Sequence, residues 1–153
     1  MIHLDHLITT KPLPEVFELM EPWLKERFRS PNSLNQLGIE TRDAIDEARS
    51  SLAKLVNASN TEEIIFTSSG TEAINHAVKG SALANRRFGN HIVTTNIEHP
   101  AVISSITWLE KQGFESTKIN VDNQGRFDLN ELSQSIRDNT VLVALHQANH
   151  DLG

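Results

Sequence analysis

The chain has no cysteine and no tyrosine, and only 5% of its residues are aromatic. Without cysteine it offers no disulfide, no thiolate metal site and no nucleophilic thiol. Basic charge is also scarce: 14 lysines and arginines stand against 20 acidic residues, a formal net charge of −6. Nucleic-acid-binding surfaces need a basic stripe, so nucleic acid is not an expected partner. No apolar run is long enough to cross a bilayer, and no membrane partner is expected. The opening Met1-Ile2-His3-Leu4-Asp5 lacks the basic and apolar regions of a signal peptide, so the expected location is the cytoplasm. The seven histidines are scattered, without a His-Glu-x-x-His or similar cluster, and no metal site is expected.

What the sequence does contain is globular in character. It has 38% apolar and 22% charged residues over a length of 153, enough for one domain with a core. The most informative stretch is Ile64-Ile65-Phe66-Thr67-Ser68-Ser69-Gly70-Thr71-Glu72-Ala73. An apolar run stops at small hydroxyl residues and a glycine, and a helical pattern begins at once. Such a turn aims unpaired N–H groups away from a helix N-terminus, which favours an anion. Ser68, Ser69 and Thr71 add hydroxyls that can donate to a phosphate. The same residues also suit a plain helix cap. The stretch is neither a P-loop nor the Gly-x-Gly-x-x-Gly fingerprint.

Periodicity predicts a helix over 14–28, kinked or broken at Pro22, and a loop over 29–34. A second helix is expected over 39–56, with Ile45, Ala48, Leu52 and Leu55 on one face. Strands then alternate with helices: strand 62–67, helix 71–87, strand 91–95, helix 101–112 with Gly113 at its C′ position, strand 114–121, a helix from Asp128 to about Arg137, and an apolar strand 140–145. This order implies an α/β fold, with a largely parallel sheet carrying helices on both faces, preceded by an N-terminal helical segment. The expected division is 1–60 for the extended start and helices, and 61–153 for the α/β part. Ligands of such sheets bind beyond the carboxyl ends of the strands. That directs attention to the loops at 68–71, 96–100 and 146–153.

Five ordered blocks resemble the cysteine desulfurases, of the class V group of pyridoxal-phosphate enzymes. They are Ile2-His3-Leu4-Asp5 with Thr9-Thr10; Phe28 to Ser33 with Gly38; Phe66 to Ala73 with Asn75; Asn96-Ile97-Glu98-His99-Pro100-Ala101-Val102; and Asn149 with Gly153. The resemblance covers the whole chain against roughly the first two-fifths of such an enzyme. It implies a partial large domain of fold type I, pyridoxal 5′-phosphate as cofactor, and a cysteine-like amino acid as substrate. It also implies a homodimer, and a place in sulfur metabolism and iron–sulfur cluster assembly.

The resemblance assigns Gly70 and Thr71 to the cofactor phosphate and His99 to stacking on the pyridine ring and proton transfer. Asn149 would bond the phenolic oxygen or the substrate carboxylate. Departures from the family pattern are Leu7 and Ile8 in the first block, Arg29 and Asn35 near the second, and His150 and Asp151 in the last.

The lysine that bonds the cofactor, the aspartate at the pyridine nitrogen, the sulfur-carrying cysteine and the substrate arginine fall, by the resemblance, past Gly153. Lys11, Lys25, Lys54, Lys79, Lys111 and Lys118 are the lysines present, and none follows a Ser-x-His. The expectation is therefore an N-terminal part, apparently truncated after residue 153, that needs a complementing C-terminal polypeptide for activity. Two alternatives stand beside it. One is another class V activity, an aminotransferase or selenocysteine lyase-like enzyme. The other is a non-catalytic product or subunit.

Overall fold

The computed structural model describes residues 9–149, 151 and 152. The first sequence block up to Ile8, His150 and Gly153 lie outside the described residues. Two compact units are present, Met1–Ile65 and Phe66–Gly153.

The first unit carries α1 (Pro14–Lys25), α2 (Gln36–Leu55) and a 3₁₀ turn, Thr61–Glu63. Pro14 sits in the first turn of α1, where its missing N–H removes no helix bond. Pro22 lies inside the helix, which continues to Lys25 rather than to the expected Phe28. Most apolar side chains of α1 are exposed, Phe17 and Leu19 among them. Helix α2 begins three residues earlier than its apolar periodicity suggested, because Asn35 caps it by accepting from the Gly38 amide at 3.0 Å. Gly38 is required there: a Cβ on it would lie 2.2 Å from the Ser33 carbonyl oxygen.

The expected strand over 62–67 is not formed. Its first residues make the 3₁₀ turn, and the rest is irregular. A strand needs a hydrogen-bonded neighbour, and the sheet pairs only segments from His91 onward. Ile65 and Phe66 are accordingly exposed.

The second unit holds α3 (Gly70–Ala84), β1 (His91–Thr95), α4 (Pro100–Lys111), β2 (Glu115–Ile119), α5 (Leu129–Ser135) and β3 (Thr140–Ala144). Strand β1 pairs in parallel with both β2 and β3. The chain crosses the sheet one way to reach β2 and the other way to reach β3. Right-handed crossovers, the near-universal hand, then place α4 and α5 on opposite faces. The central strand is buried along its whole length. Val78, Ala82, Ile92, Ile106, Leu109 and Phe114 form the core between α3, α4 and the sheet. Helix α4 stops where expected, with Gly113 just past its cap at φ +87. Strand β3, expected to be buried, is half-exposed, since among the described residues it pairs on one side only.

Two features of the amino edge of this sheet yield predictions. A Cβ on Gly89 would lie 2.1 Å from the carbonyl oxygen of Asn139, the atom that accepts from the His91 amide at 3.0 Å. Gly89→Ala forces backbone apart and is expected to cost about 1–3 kcal/mol, read by urea denaturation. An unchanged midpoint would refute the crowding.

His91 itself is fully buried and bridges all three strands, its Nδ1 2.8 Å from Thr140 Oγ1 and its Nε2 2.9 Å from Thr117 Oγ1. Burial, with the positive charge of Arg137 adding to it, holds the imidazole below its ordinary pKa, partly opposed by Glu115. The unfolded chain therefore takes up a proton at a higher pH than the folded one. Stability from the neutral ring is complete above about pH 6.5 and declines as pH falls below it. Urea midpoints at pH 7.5 and 5 should show that loss, and His91→Gln should remove its share of the slope. A wild-type midpoint that rises on acidification would contradict the account.

Candidate functional site

The carboxyl ends of β1 and β3 lie side by side, at the point where the path across the sheet reverses. Such a point forms a ligand crevice in parallel sheets. Three features meet there, the loop 96–99, the start of α4 and the loop 145–149, and α3 runs along the cavity beside them from Ile74 onward.

The α3 N-terminus is capped from within. Ser69 Oγ accepts from the Glu72 amide at 3.2 Å. The Glu72 carboxylate accepts from both the Ser68 amide at 2.7 Å and the Ser68 hydroxyl at 2.6 Å. Those two bonds hold the Glu72 carboxyl below its ordinary pKa. The Ser68 hydroxyl, read from sequence as a phosphate donor, is thus turned onto Glu72. Gly70 and Thr71 occupy the first two helical positions, whose amides have no intrahelical acceptor. Nothing lies within 4 Å of where a Cβ on Gly70 would stand. Two unpaired N–H groups and open space beside them fit the terminal phosphate of an anionic ligand.

His99 is the N-cap of α4. Pro100 at the first helical position holds it in an extended conformation, and its Nδ1 accepts from the Ala101 amide at 3.1 Å. The ring proton therefore sits on Nε2. His99 borders an open cavity of about 410 Å³, whose wall also includes Ile74, Ala77 and Val78 of α3, Leu142 of β3 and His146. Ile74 is one helical turn beyond Gly70, so α3 connects the phosphate-type turn to the cavity wall; Gly70 and Thr71 do not themselves border the cavity.

Asn149 reaches back to the loop after β1. Its Nδ2 donates to the Ile97 carbonyl at 3.0 Å, and its Oδ1 accepts from the amides of Asp151 and Leu152 at 2.8 and 2.9 Å. Of the sequence candidates, Asn149 is thus bonded to Ile97, two residues before His99, at the carboxyl end of β1.

Two residues without an assigned role prove central to this edge. Glu98, with only 2% of its side chain exposed, accepts from Thr95 Oγ1 at 2.7 Å and from the His146 amide at 3.3 Å. His146 Nδ1 lies 2.8 Å from its other oxygen. The only signal in the sequence was adjacency: Glu98 precedes His99, and His146 ends an apolar strand. Among the described residues no cluster of His, Asp and Glu could hold a metal ion. No helix among them is long and apolar enough to cross a membrane.

The architecture is that of an open parallel α/β domain, a class that binds its ligands beyond the carboxyl ends of the strands. The family model for class-V aminotransferases matches residues 2–153, and the chain belongs to that family. It is 45% identical to cysteine desulfurase IscS of Dictyoglomus turgidum over 152 residues, 99% of this chain and 38% of the relative. It is 43% identical to IscS of Methanosarcina thermophila, again over 99% of this chain and 37% of that one. Among solved structures, a NifS-like protein superposes with a TM-score of 0.92 at 34% identity, covering 97% of this chain and 41% of the other. A structure of SspA in complex with cysteine does so with a TM-score of 0.92 at 30% identity, covering all of this chain and 44% of that one. The chain thus spans about two-fifths of the length of the relatives it matches.

Proposed function

We propose that this chain is the N-terminal, cofactor-holding portion of a cysteine desulfurase that uses pyridoxal 5′-phosphate to take sulfur from L-cysteine and release alanine. The observation that carries the reading is the placement of His99 and Asn149 at one sheet edge, beside the helix that begins at Gly70. The identity to IscS proteins along 99% of the chain supports the choice of substrate.

The residues divide the work. The Gly70 and Thr71 amides, with the Thr71 hydroxyl, would hold the phosphate tail. His99, its ring oriented by the Ala101 amide, would stack on the pyridine ring and offer the proton on Nε2. Asn149 would bond the phenolic oxygen or the substrate carboxylate. The apolar side chains of α3 along the cavity would exclude water from the site. When bound, the cofactor would supply an electron sink for the bond changes at the amino acid. In the longer relatives the bonding lysine and the sulfur-accepting cysteine would come from beyond the matched region, and the whole protein would work as a dimer. Residues 1–153, which hold no cysteine, are expected to form no persulfide by themselves.

A joined protein tests this. Fusing residues 1–153 in frame to the segment of the Dictyoglomus relative that follows the matched region should yield alanine from cysteine, with none from the chain alone. A folded, cofactor-loaded fusion that leaves cysteine untouched would sink the assignment.

A further inference from the structure

A carboxylate buried at the end of a strand is expensive unless its oxygens find donors. Glu98 finds two, the Thr95 hydroxyl and the His146 amide, and the His146 imidazole stands beside its other oxygen. The imidazole contact, 2.8 Å from Nδ1 to Oε2, is a close approach without a hydrogen bond. On the far side of the same ring, Nε2 is 3.4 Å from Asn149 Nδ2. An amide nitrogen is a donor only, so Nε2 accepts and the ring proton resides on Nδ1, beside the carboxylate. The result is a continuous series, Glu98 to His146 to Asn149, running from the end of β1 to the loop after β3.

This series fixes which way the Asn149 amide points. Its oxygen is occupied by two backbone amides, and one of its two N–H bonds goes to Ile97. The second N–H, held at 3.4 Å by His146, makes the longest of these bonds and is the one most readily exchanged. We propose that Glu98 and His146 are positioning residues: they orient Asn149 and keep one of its N–H bonds in a weak contact that an acceptor oxygen on a bound aromatic ligand takes over. The role of Asn149 toward the ring oxygen rests on the function proposed above; the orientation of its side chain by Glu98 and His146 does not.

The test uses the isotopically labelled 153-residue chain with Glu98→Gln and His146→Phe, and reads two properties. In the ligand-free protein, nitrogen shifts of His146 should report a proton on Nδ1. Glu98→Gln, which replaces a carboxylate oxygen by a donor, should move that proton to Nε2 and shift the Asn149 side-chain amide. His146→Phe should shift the same amide.

The second reading is affinity, for pyridoxal 5′-phosphate and for inorganic phosphate separately. Both substitutions should weaken the former about tenfold, the scale of one lost hydrogen bond, and leave the latter unchanged. A wild-type proton on Nε2, or an Asn149 amide unmoved by both substitutions, would overturn the positioning role. An equal loss for both ligands would do so as well. If the wild-type chain bound neither ligand, the cofactor reading would fail, while the ligand-free spectra would still decide the orientation of Asn149.

Discussion

Gly70→Asp is expected to leave the fold intact and to weaken pyridoxal 5′-phosphate binding by at least about tenfold, roughly 1.4 kcal/mol or more. The two halves of that expectation come from separate features. The position has space, since no heavy atom lies within 4 Å of the new Cβ. Gly70 is the first residue of α3, where a carboxylate interacts favourably with the helix dipole. Stability should therefore hold or rise. The same carboxylate stands where the phosphate would sit, and like charges a few ångströms apart repel. Thermal denaturation and a cofactor titration read the two halves independently. A tenfold loss with an unchanged melting temperature supports the cradle; unaltered affinity would remove Gly70 from it.

Ile106→Ala should have the largest effect on stability, about 2–5 kcal/mol. Ile106 is fully buried in α4 and belongs to the cluster that includes Val78 and Ala82 of α3, Ile92 of β1 and Phe114. Close-packed neighbours on three elements cannot all move in to fill the space. The loss matters for the site, because α4 begins at Pro100 and carries His99 as its cap. Loosening this helix disturbs the ring that the Ala101 amide orients. Urea denaturation measures the energy. A change below about 1 kcal/mol would mean that the cluster is not a tightly packed core.

Much of the second unit was legible in sequence because its signals are local. His91 to Thr95 is a short β-rich run after Gly89-Asn90, and it forms β1 within those bounds. Pro100 and Gly113 bracket α4, each acting through its own backbone preference. Asp128 caps α5 by accepting from the Asn130 amide at 2.7 Å. The misread stretch, Glu62 to Thr67, carries the same apolar signal as a strand. What it lacks is a neighbour to bond to, which no local pattern reveals. The half-exposed state of β3 was hidden for the same reason.

At the site, the turn at Gly70 was singled out by its residue types, and the histidine before Pro100 by the resemblance. Their partners could be found from neither. Glu98 meets His146 across 48 positions of sequence, and His91 meets Thr140 across 49. Register in the sheet creates both meetings. The Ser68 hydroxyl was read outward because the sequence does not show that Glu72 folds back onto it.

The most direct test of the whole account is a nuclear magnetic resonance titration of the labelled chain with pyridoxal 5′-phosphate. The account predicts saturable shifts at the Gly70 and Thr71 backbone amides, together with the His99 ring and the Asn149 side chain. Saturation with Gly70 and Thr71 unmoved, or shifts gathered at the amino edge of the sheet around His91, would contradict it.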